Sequence, residues 1–379
     1  MHGVIERRRH YLRLMRNYTL DQGSFTVTDI QAGAQVPRST AQDWINRLVD
    51  EGCVVQKVGK SGRQPARYAA ISAMPSSACR RIFTTIDDDE VEIFHECMSG
   101  ACAAFCGHHH TLARGAVVQV EREGTLLREC ARIGRKEIKI GLYPSAAVGV
   151  LGVDRKGDCV IQHIRCIGGP AYSLTDMIAH AEGVLDVKVH RDGDIVEGEI
   201  WTRALVHLMI GIDDTDSRSG GATFALALAL LQHLGKMEGV FPIGHHVAML
   251  YQGVAQKTAG NSCSNIDLAV EPDILERVVS RILLFIEDET FSPEWGISVK
   301  RGFRVTPGLR HYGIMARETL VSLETAQMVA EKHDIRLYGG RGVIGALAAV
   351  ALSGLSHDML LNPEKTIPCE QDPFQDTSE

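Results

Sequence analysis

The sequence lacks the segments that would carry a chain into or through a membrane. Apolar runs such as residues 225–231 are far too short to span a bilayer, which takes about 20 residues. The first residues, MHGVIERRRHYL, are charged and have no apolar core of the kind found in signal peptides. The composition, 45% hydrophobic and 23% charged, is typical of a globular protein. We therefore expect a cytoplasmic location.

Several common nucleotide and metal signatures are also missing. The glycine-rich segment near residue 340 is not followed by Gly-Lys-Ser/Thr, which excludes a Walker A loop, and its glycines do not fit G-x-G-x-x-G. The ten cysteines form neither the paired CxxC knuckles of a zinc ribbon nor the triplet of radical enzymes. In a chain of this length they are not expected to form a disulfide scaffold.

The length and the charge distribution indicate several domains. A chain of 379 residues exceeds one ordinary hydrophobic core. Residues 1–72 contain 11 Lys and Arg against 6 Asp and Glu, a net charge of +5, so the remaining 307 residues sum to −12. A basic amino-terminal region on an acidic body suggests that the amino-terminal region makes any contact with nucleic acid.

Residues 1–72 follow the order of a winged helix-turn-helix domain. Helical apolar spacing over 4–20 predicts a first helix, and Thr28 could cap a second. A third helix starts near Ser39 or Thr40 and is ended by Gly52, before a strand, a basic turn and a second strand. We expect the third helix to face a groove of nucleic acid and the turn to contact phosphates. The candidates are Arg38, Ser39, Thr40, Gln42, Asp43, Lys57, Lys60, Arg63 and Arg67.

An alternative role for this domain is protein docking or dimerisation, and a homodimer is one expected assembly.

Residues 73–114 are interpreted as a linker followed by a Cys- and His-rich helix. On that helix the side chains of Cys102, Cys106 and His110 would share one face, with Cys97 upstream. They are candidate ligands for zinc or an iron–sulfur cluster. The alternative is a helix of small residues that packs its cysteines as small hydrophobes.

The strongest chemical pattern follows a buried strand. The run LVHLMIG leads directly into Asp213, Asp214, Thr215 and Asp216, so the carboxylates lie at the carboxyl end of a strand, where α/β sheets bind ligands. Three carboxylates so close repel one another unless a cation is present, and Mg²⁺ binds through one or two carboxylates plus phosphate oxygens. We therefore expect an ATP and Mg²⁺ site here, rather than a capping turn, which needs only one acid.

Three further segments add candidates for this site. Gly220 and Gly221 would allow close backbone approach, and the helix that starts near Thr223 would point its N–H groups at an anion. Lys257 and Asn261 flank a loop between two strands and suit phosphate contact. A strand–glycine loop–helix arrangement could cradle phosphate or let its helix pack closely, with an arginine as phosphate clamp. That last loop contains Gly339, Gly340, Arg341 and Gly342.

Taken together, GIDDTDS with GGAT, then KTAGN, then GGRGVIGALAA resemble archaeal tRNA-Ile agmatidine synthetase over residues 205–360. That family uses ATP to activate a cytidine of tRNA-Ile and then attaches agmatine. The resemblance implies a kinase-like α/β domain and a ferredoxin-like domain. It also implies that Asp213, Asp214 and Asp216 lie at the ATP and Mg²⁺ site. Thr223 would match the threonine of the family's glycine-cysteine-threonine turn, and Lys257 the lysine of its phosphate-facing loop. Ala222 and Phe224 replace the family's cysteine and second threonine, and its OB-fold and zinc ribbon have no counterpart.

These differences suggest an archaeal relative that kept the ATP chemistry and changed its substrate. The sequence resembles the methanogenesis marker protein 11 family, which is the candidate for that relative. The expected architecture is a multidomain α/β and α+β protein: a winged helix at 1–72, the linker and helix at 73–114, an α+β domain at 115–204, a kinase-like domain at 205–290, a ferredoxin-like domain at 291–362 and a flexible tail at 363–379. The expected function is ATP-dependent phosphoryl transfer or ligation. A winged-helix transcriptional regulator with a nucleotide-sensing domain and a scaffold protein are the alternatives.

Overall fold

The computed structural model describes residues 2–62, 64–73, 78–255, 257 and 260–367. Arg63 and most of the expected tail lie outside these ranges. Within them, no helix combines the length and the apolar character needed to cross a membrane.

The amino-terminal region has the order expected of a winged helix. Three helices precede a two-stranded antiparallel sheet: α1 (His2–Gln22), α2 (Val27–Ala34), α3 (Arg38–Asp50), β1 (Val54–Val58) and β2 (Arg67–Ala70). Met15, Phe25 and Ile45 are fully buried in its core. The cap of α2 is Thr26 and not Thr28, because Thr26 and Asp29 form a reciprocal capping box.

A large mixed sheet occupies the centre of the chain. Its strands are β3 (Cys79–Asp87), β4 (Glu90–Cys97), β5 (Val117–Glu123), β6 (Leu126–Arg132), β7 (Gly134–Arg135), β8 (Val148–Lys156), β9 (Cys159–Ile167), β10 (Val184–Asp192) and β11 (Ile195–Asp213), with helices α4 (Gly100–Ala113) and α5 (Gly169–Asp176). The expected linker is wrong for residues 79–97. They form the hairpin β3–β4, because apolar and β-branched side chains such as Ile82, Phe83 and Ile93 are buried there.

Strand β11 connects the two halves of the molecule. Residues 195–203 pair with β9, residues 204–205 pair in parallel with β3, and residues 206–212 pair with a strand of the carboxyl-terminal half. The boundary expected at residue 204 therefore falls inside one continuous strand.

The carboxyl-terminal half forms five neighbouring strands with helices on both faces. The order is β12–β13–β11–β14–β15, and every pairing is antiparallel. The remaining elements are α6 (Thr223–Leu234), β12 (Val240–Met249), β13 (Ser262–Val270), α7 (Leu275–Glu289), β14 (Gly296–Arg301), α8 (Pro307–Glu318), α9 (Leu323–Lys332), β15 (Arg336–Gly339), α10 (Val343–Ala351) and α11 (His357–Leu361). The expected division at residue 290 separates no sheets, because β14 pairs directly with β11.

Candidate active site

The end of β11 is positioned by a strict alternation of side chains. Leu208, Ile210 and Ile212 are buried in one core with α6 and α7, whereas Met209 belongs to the core on the other side with α8 and α10. Asp213 shares the face of Met209. It is 7% exposed, and a Cβ placed on Gly345 of α10 would lie 1.7 Å from its Oδ2 atom. Glycine at 345 therefore makes the space that the Asp213 carboxylate occupies.

The acidic loop is held in shape by Thr223, the first residue of α6. Its hydroxyl donates to Asp216 Oδ1 at 2.9 Å and accepts from the backbone N–H of Thr215 at 3.3 Å and the hydroxyl of Thr215 at 3.1 Å. Asp214 has a left-handed backbone, φ 54°, and donates its N–H to Asp213 Oδ1 at 2.9 Å. The carbonyl of Thr215 accepts from Phe291 N, which ties the loop to the segment after α7.

The charges of this loop are poorly compensated. In the described part of the chain, neither Asp213 nor Asp214 forms an ion pair within 4 Å. Burial and then the neighbouring Asp214 raise the pKa of Asp213 well above its usual range. Burial and then Asp216 raise the pKa of Asp214, and the nearby Arg341 opposes this rise. The loop thus gathers negative charge in a place that penalises it.

The three carboxylates do not all converge on one point. Among the described residues, they are not a set whose donor oxygens all lie within 4.8 Å of one another. The loop suits a hard cation bound by one or two carboxylates, with phosphate oxygens or water completing its coordination.

The glycine turn and the start of α6 lie beside the acidic loop. Gly220 and Gly221 have positive φ, 154° and 88°, and Phe291 packs over both, since a Cβ on either would approach its ring to 3.3 or 3.1 Å. Helix α6 begins after Ala222 without a side-chain cap. Its amino terminus therefore has backbone N–H groups available to an anion.

The glycine loop at 339–342 packs closely and does not present its backbone to a phosphate. The N–H groups of Gly340 and Gly342 donate to the carbonyls of Trp295 and Glu294, at 2.7 and 2.8 Å, and that of Arg341 donates to the Glu294 carboxylate at 3.2 Å. A Cβ on Gly339 would lie 2.2 Å from the Trp295 carbonyl. A phosphate cradle is thus the wrong interpretation of these glycines, because their N–H groups already have partners. The exposed side chain of Arg341 stays a candidate.

The loop that contains Lys257 and Asn261 is closed by side-chain amides. Asn261 donates to the Tyr251 carbonyl at 2.8 Å, and Gln252 Oε1 accepts from Asn261 N at 3.1 Å. The exposed Lys257 ammonium donates to the Gln252 carbonyl. The Lys257 ammonium can leave this contact, whereas the amide nitrogen of Asn261 is committed to the loop.

The candidate nucleic-acid contacts lie on the surface of the winged helix. Arg38 and Ser39 are exposed in the first turn of α3, where Thr40 and Gln42 are half-buried, and Asp43 is exposed. Three wing candidates, Lys57, Lys60 and Arg67, are also exposed. Lys57 donates to the Gly23 carbonyl and Arg67 to the Ser24 hydroxyl, so both reach back towards the end of α1.

The four candidate ligands of the Cys- and His-rich segment are not brought together as one ligand set in the described residues. Cys97 lies on β4, and Cys102, Cys106 and His110 lie on α4, but their donor atoms are not all within 4.8 Å of one another. His110 is instead fixed by Glu129, whose carboxylate lies 2.6 Å from Nδ1. Two further cysteines are not among these candidates, Cys130 in β6 and Cys166 in β9. Burial raises the pKa of each to about 12, which keeps both thiols protonated.

A buried charge network, which the sequence patterns did not suggest, lies behind the acidic loop on the same face of β11. The Glu92 carboxylate accepts from Arg128 Nε at 2.6 Å and lies 2.6 Å from His207 Nδ1. His207 Nε2 lies 3.3 Å from Asp267, which also accepts from Asn265 at 2.8 Å. The signal that could have found it is the presence of ionisable residues within apolar strand runs, since buried charges are normally paired.

Partners in this network shift one another's pKa. Burial would raise the pKa of Glu92, but Arg128 and His207 lower it to about 2. Burial would lower the pKa of His207, but Glu92 and Asp267 raise it to about 9. The imidazole is therefore cationic at neutral pH.

Comparisons with known proteins agree with two parts of this structure. The family model described as the TiaS TCKD domain matches residues 209–270, which include the acidic loop. The model described as the sugar-specific transcriptional regulator TrmB matches residues 11–74.

Relatives fall into two groups. The uncharacterized protein MJ0921 of Methanocaldococcus jannaschii is 26% identical over 286 residues, which cover 72% of this chain and 93% of that protein. TiaS of Pyrococcus horikoshii, a 2-agmatinylcytidine synthetase for an isoleucine tRNA, is 30% identical over 162 residues, and that of Methanosarcina acetivorans is 31% identical over 171. The chain spans only 38% and 37% of these two synthetases.

Among solved structures, the complex of TiaS with its isoleucine tRNA and ATP is 25% identical. It aligns with 38% of this chain and 36% of its own, at a TM-score of 0.36.

Proposed function

We propose that this chain, which carries a TiaS-like module in its carboxyl-terminal half, is an ATP- and Mg²⁺-dependent phosphoryl-transfer or ligase-type enzyme with an RNA acceptor of the tRNA class. The observation that carries the proposal is the pair of buried, mutually repelling carboxylates Asp213 and Asp214, which form no ion pair among the described residues. A fold tolerates such a pair when a ligand supplies the missing positive charge. The relationship to methanogenesis marker protein 11 stays a prediction.

The donor chemistry of the loop fits Mg²⁺. Asp213 and Asp214 would hold the ion, and Asp216 is fixed next to them by the Thr223 hydroxyl. When bound, the ion would supply positive charge that neutralises phosphate oxygens. Carboxylate ligands with raised pKa values also become fully ionised once a divalent cation is present.

The other charged groups suit the triphosphate. The uncapped start of α6 favours an anion at its N–H groups, and the exposed guanidinium of Arg341 lies close enough to lower the pKa of Asp214. Lys257 could release its backbone contact for a phosphate. Phosphoryl transfer depends on such positioning and charge neutralisation more than on covalent steps.

The acceptor is proposed from the synthetases that share the module. Their names concern an isoleucine tRNA, and the basic winged helix gives this chain a separate surface for a polyanion. Ala222 and Phe224 differ from the residues that the resemblance implies at these positions. Phe224 is 57% exposed at the start of α6, where a nucleobase could stack on it. We therefore propose a related reaction that uses either another RNA of the tRNA class as acceptor or a different amine.

The test is ATP consumption by the purified chain with Mg²⁺, in the presence and absence of total tRNA. Asp213→Asn and Asp214→Asn should each lower the rate at least about 100-fold, because each removes a charge that holds the ion. The matched control is Asp273→Asn, an exposed carboxylate of the same half of the chain. It should keep the wild-type rate.

Thermal melting and circular dichroism would check that each variant is folded. Equal rates in the wild type and both loop variants would refute the site. A wild type that consumes no ATP with or without tRNA would refute the enzymatic function.

The match of residues 11–74 to a transcriptional regulator supports a second candidate function, in which the winged helix binds DNA and the TiaS-like module senses a nucleotide. Arg38→Ala and Gln42→Ala would then abolish binding to one specific duplex, and ATP would change its affinity. Failure to bind any duplex more tightly than nonspecific DNA would remove this candidate.

A further inference from the structure

A cavity of about 410 Å³ lies between the central sheet and the TiaS-like module. Phe94 and Leu126 line it from the central sheet, and Ile243 and Phe303 line it from the module. The buried pair His207 and Asp267 also faces it. The acidic loop is not part of its lining, so the cavity is separate from the site described above.

Three potential metal ligands from distant segments meet at this cavity. Glu123 ends β5, His246 lies in β12 and His357 begins α11. One donor atom from each lies within 4.8 Å of the other two. His246 Nδ1 is 3.1 Å from His357 Nε2, and His357 Nε2 is 3.7 Å from Glu123 Oε1.

These separations are those of atoms around one small cation. Two ligands bound at 2.0–2.1 Å with a tetrahedral angle between them lie about 3.3 Å apart. The observed 3.1 and 3.7 Å bracket this value. Two imidazoles and one carboxylate are a ligand set of zinc sites that keep an open position, and imidazole suits Zn²⁺ and neighbouring divalent transition metals.

A second layer of buried residues orients the first ligand. The other ring nitrogen of His246, Nε2, faces Asp267 Oδ2 at 3.7 Å. Asp267 is itself fixed by Asn265 and by His207. A carboxylate behind a metal-bound histidine sets the tautomer and the orientation of the ring. An accidental surface cluster would lack this buried support.

We propose that Glu123, His246 and His357 bind a divalent transition metal of the Zn²⁺ class at the mouth of this cavity. The three protein ligands leave at least one coordination position open. Glu123 and His357 are 61% and 52% exposed at their side chains, so the ion can enter from solvent. Because the ligands come from both halves of the molecule, the bound ion also links the central sheet to the TiaS-like module.

The experiment uses the full chain, stripped with a chelator and then titrated with Zn²⁺ against a chromophoric competitor. We expect one tight equivalent and a rise in Tm on binding, because the ion binds only the folded state. His246→Gln and His357→Gln should each weaken this equivalent at least about tenfold. Glu123→Gln, an exposed position, should weaken it without loss of fold. His190→Gln, an exposed histidine of β10, is the matched control and should bind like the wild type.

Cobalt substitution separates this site from the cysteines. A Co²⁺-loaded wild type should show ligand-field bands without thiolate-to-metal charge transfer, and the His357→Gln variant should lose these bands. Thiolate charge transfer in the tight site would overturn the proposal, because the cysteines would then hold the ion. Unchanged Zn²⁺ affinity in folded His246→Gln and His357→Gln chains would also overturn it.

Discussion

Two charged centres lie on one face of β11 and differ in how their charges are balanced. His207, near the middle of the strand, has Glu92 on one ring nitrogen and Asp267 on the other. Asp213, six residues further on, has no ion pair within the described residues and another carboxylate next to it. His207 and Asp213 lie on the same face of the same strand, and both are buried. The difference in charge balance therefore comes from the residues that surround them.

This difference separates charges that the folded protein stabilises from charges that it disfavours. The pKa of Glu92 is lowered to about 2, which means that the folded protein stabilises its charged form. The pKa values of Asp213 and Asp214 are raised, which means that the folded protein disfavours theirs. By linkage, the first centre contributes stability when ionised, and the second costs stability when ionised.

The largest effect on stability should follow from a substitution in the balanced centre, which consists of Glu92, His207 and Asp267. Glu92→Gln leaves the Arg128 guanidinium and the His207 imidazolium without their shared counter-charge in a buried position. We expect a loss of about 3–5 kcal/mol in the free energy of unfolding, measured by urea denaturation at pH 7.

The matched control is the same substitution in a partly exposed ion pair. Glu197 lies 2.6 Å from Arg165, with a side chain that is 43% exposed. Glu197→Gln should cost less than about 1 kcal/mol, since solvent screens this pair. Equal losses in the two variants would mean that burial does not distinguish the network from the surface.

A smaller effect should appear in the pH dependence of stability. The folded pKa of His207, about 9, exceeds its usual value of 6.5. Its contribution to stability is therefore fully present below about pH 6.5 and is lost as the pH rises through about 9. We expect this loss to be on the order of 3 kcal/mol, from a rise of about 2.5 in the pKa. The titratable and charged groups that face the ring and its partners are Glu92, Asp267, Arg128, His246 and the buried Lys300.

A difference profile isolates the histidine from these other groups. The gap in unfolding free energy between the wild type and His207→Gln should be largest near pH 6 and should shrink towards pH 9.5. NMR titration of the His207 ring should report the same raised pKa. A gap that does not change with pH would show that the ring is neutral in the folded protein.

The acidic loop, which is the unbalanced centre, could be predicted from the sequence because its signal is local. Asp213, Asp214 and Asp216 follow an apolar strand within four residues, and the strand, the acidic loop and the start of α6 are found where the pattern indicated. The order of elements in the winged helix was predictable for the same reason. Periodicity and caps depend on neighbours along the chain.

The balanced centre and the wider sheet could not be predicted because they depend on distant residues. Glu92 and His207 are 115 residues apart, and neither belongs to a motif. The mixed pattern of residues 73–90 predicts a linker, whereas residues 79–97 form the hairpin β3–β4, with residues 88–89 as its turn. The glycines at 339–342 suggested a phosphate loop. Only the structure shows that Glu294 and Trp295 occupy their N–H groups.

The smallest effect has the opposite sign and tests the unbalanced centre. Asp213→Asn removes a buried charge that has no ion-pair partner among the described residues, so the metal-free chain should become more stable at pH 8. Because the folded pKa is raised, this gain should begin to fall as the pH drops below the folded pKa and should disappear near the usual value of 3.8. Mg²⁺ with ATP should raise the Tm of the wild type and leave that of the variant unchanged, since only the wild type retains the full site. If Asp213→Asn instead destabilised the metal-free chain as strongly as Glu92→Gln, both carboxylates would serve the fold, and the contrast between the two centres would be lost.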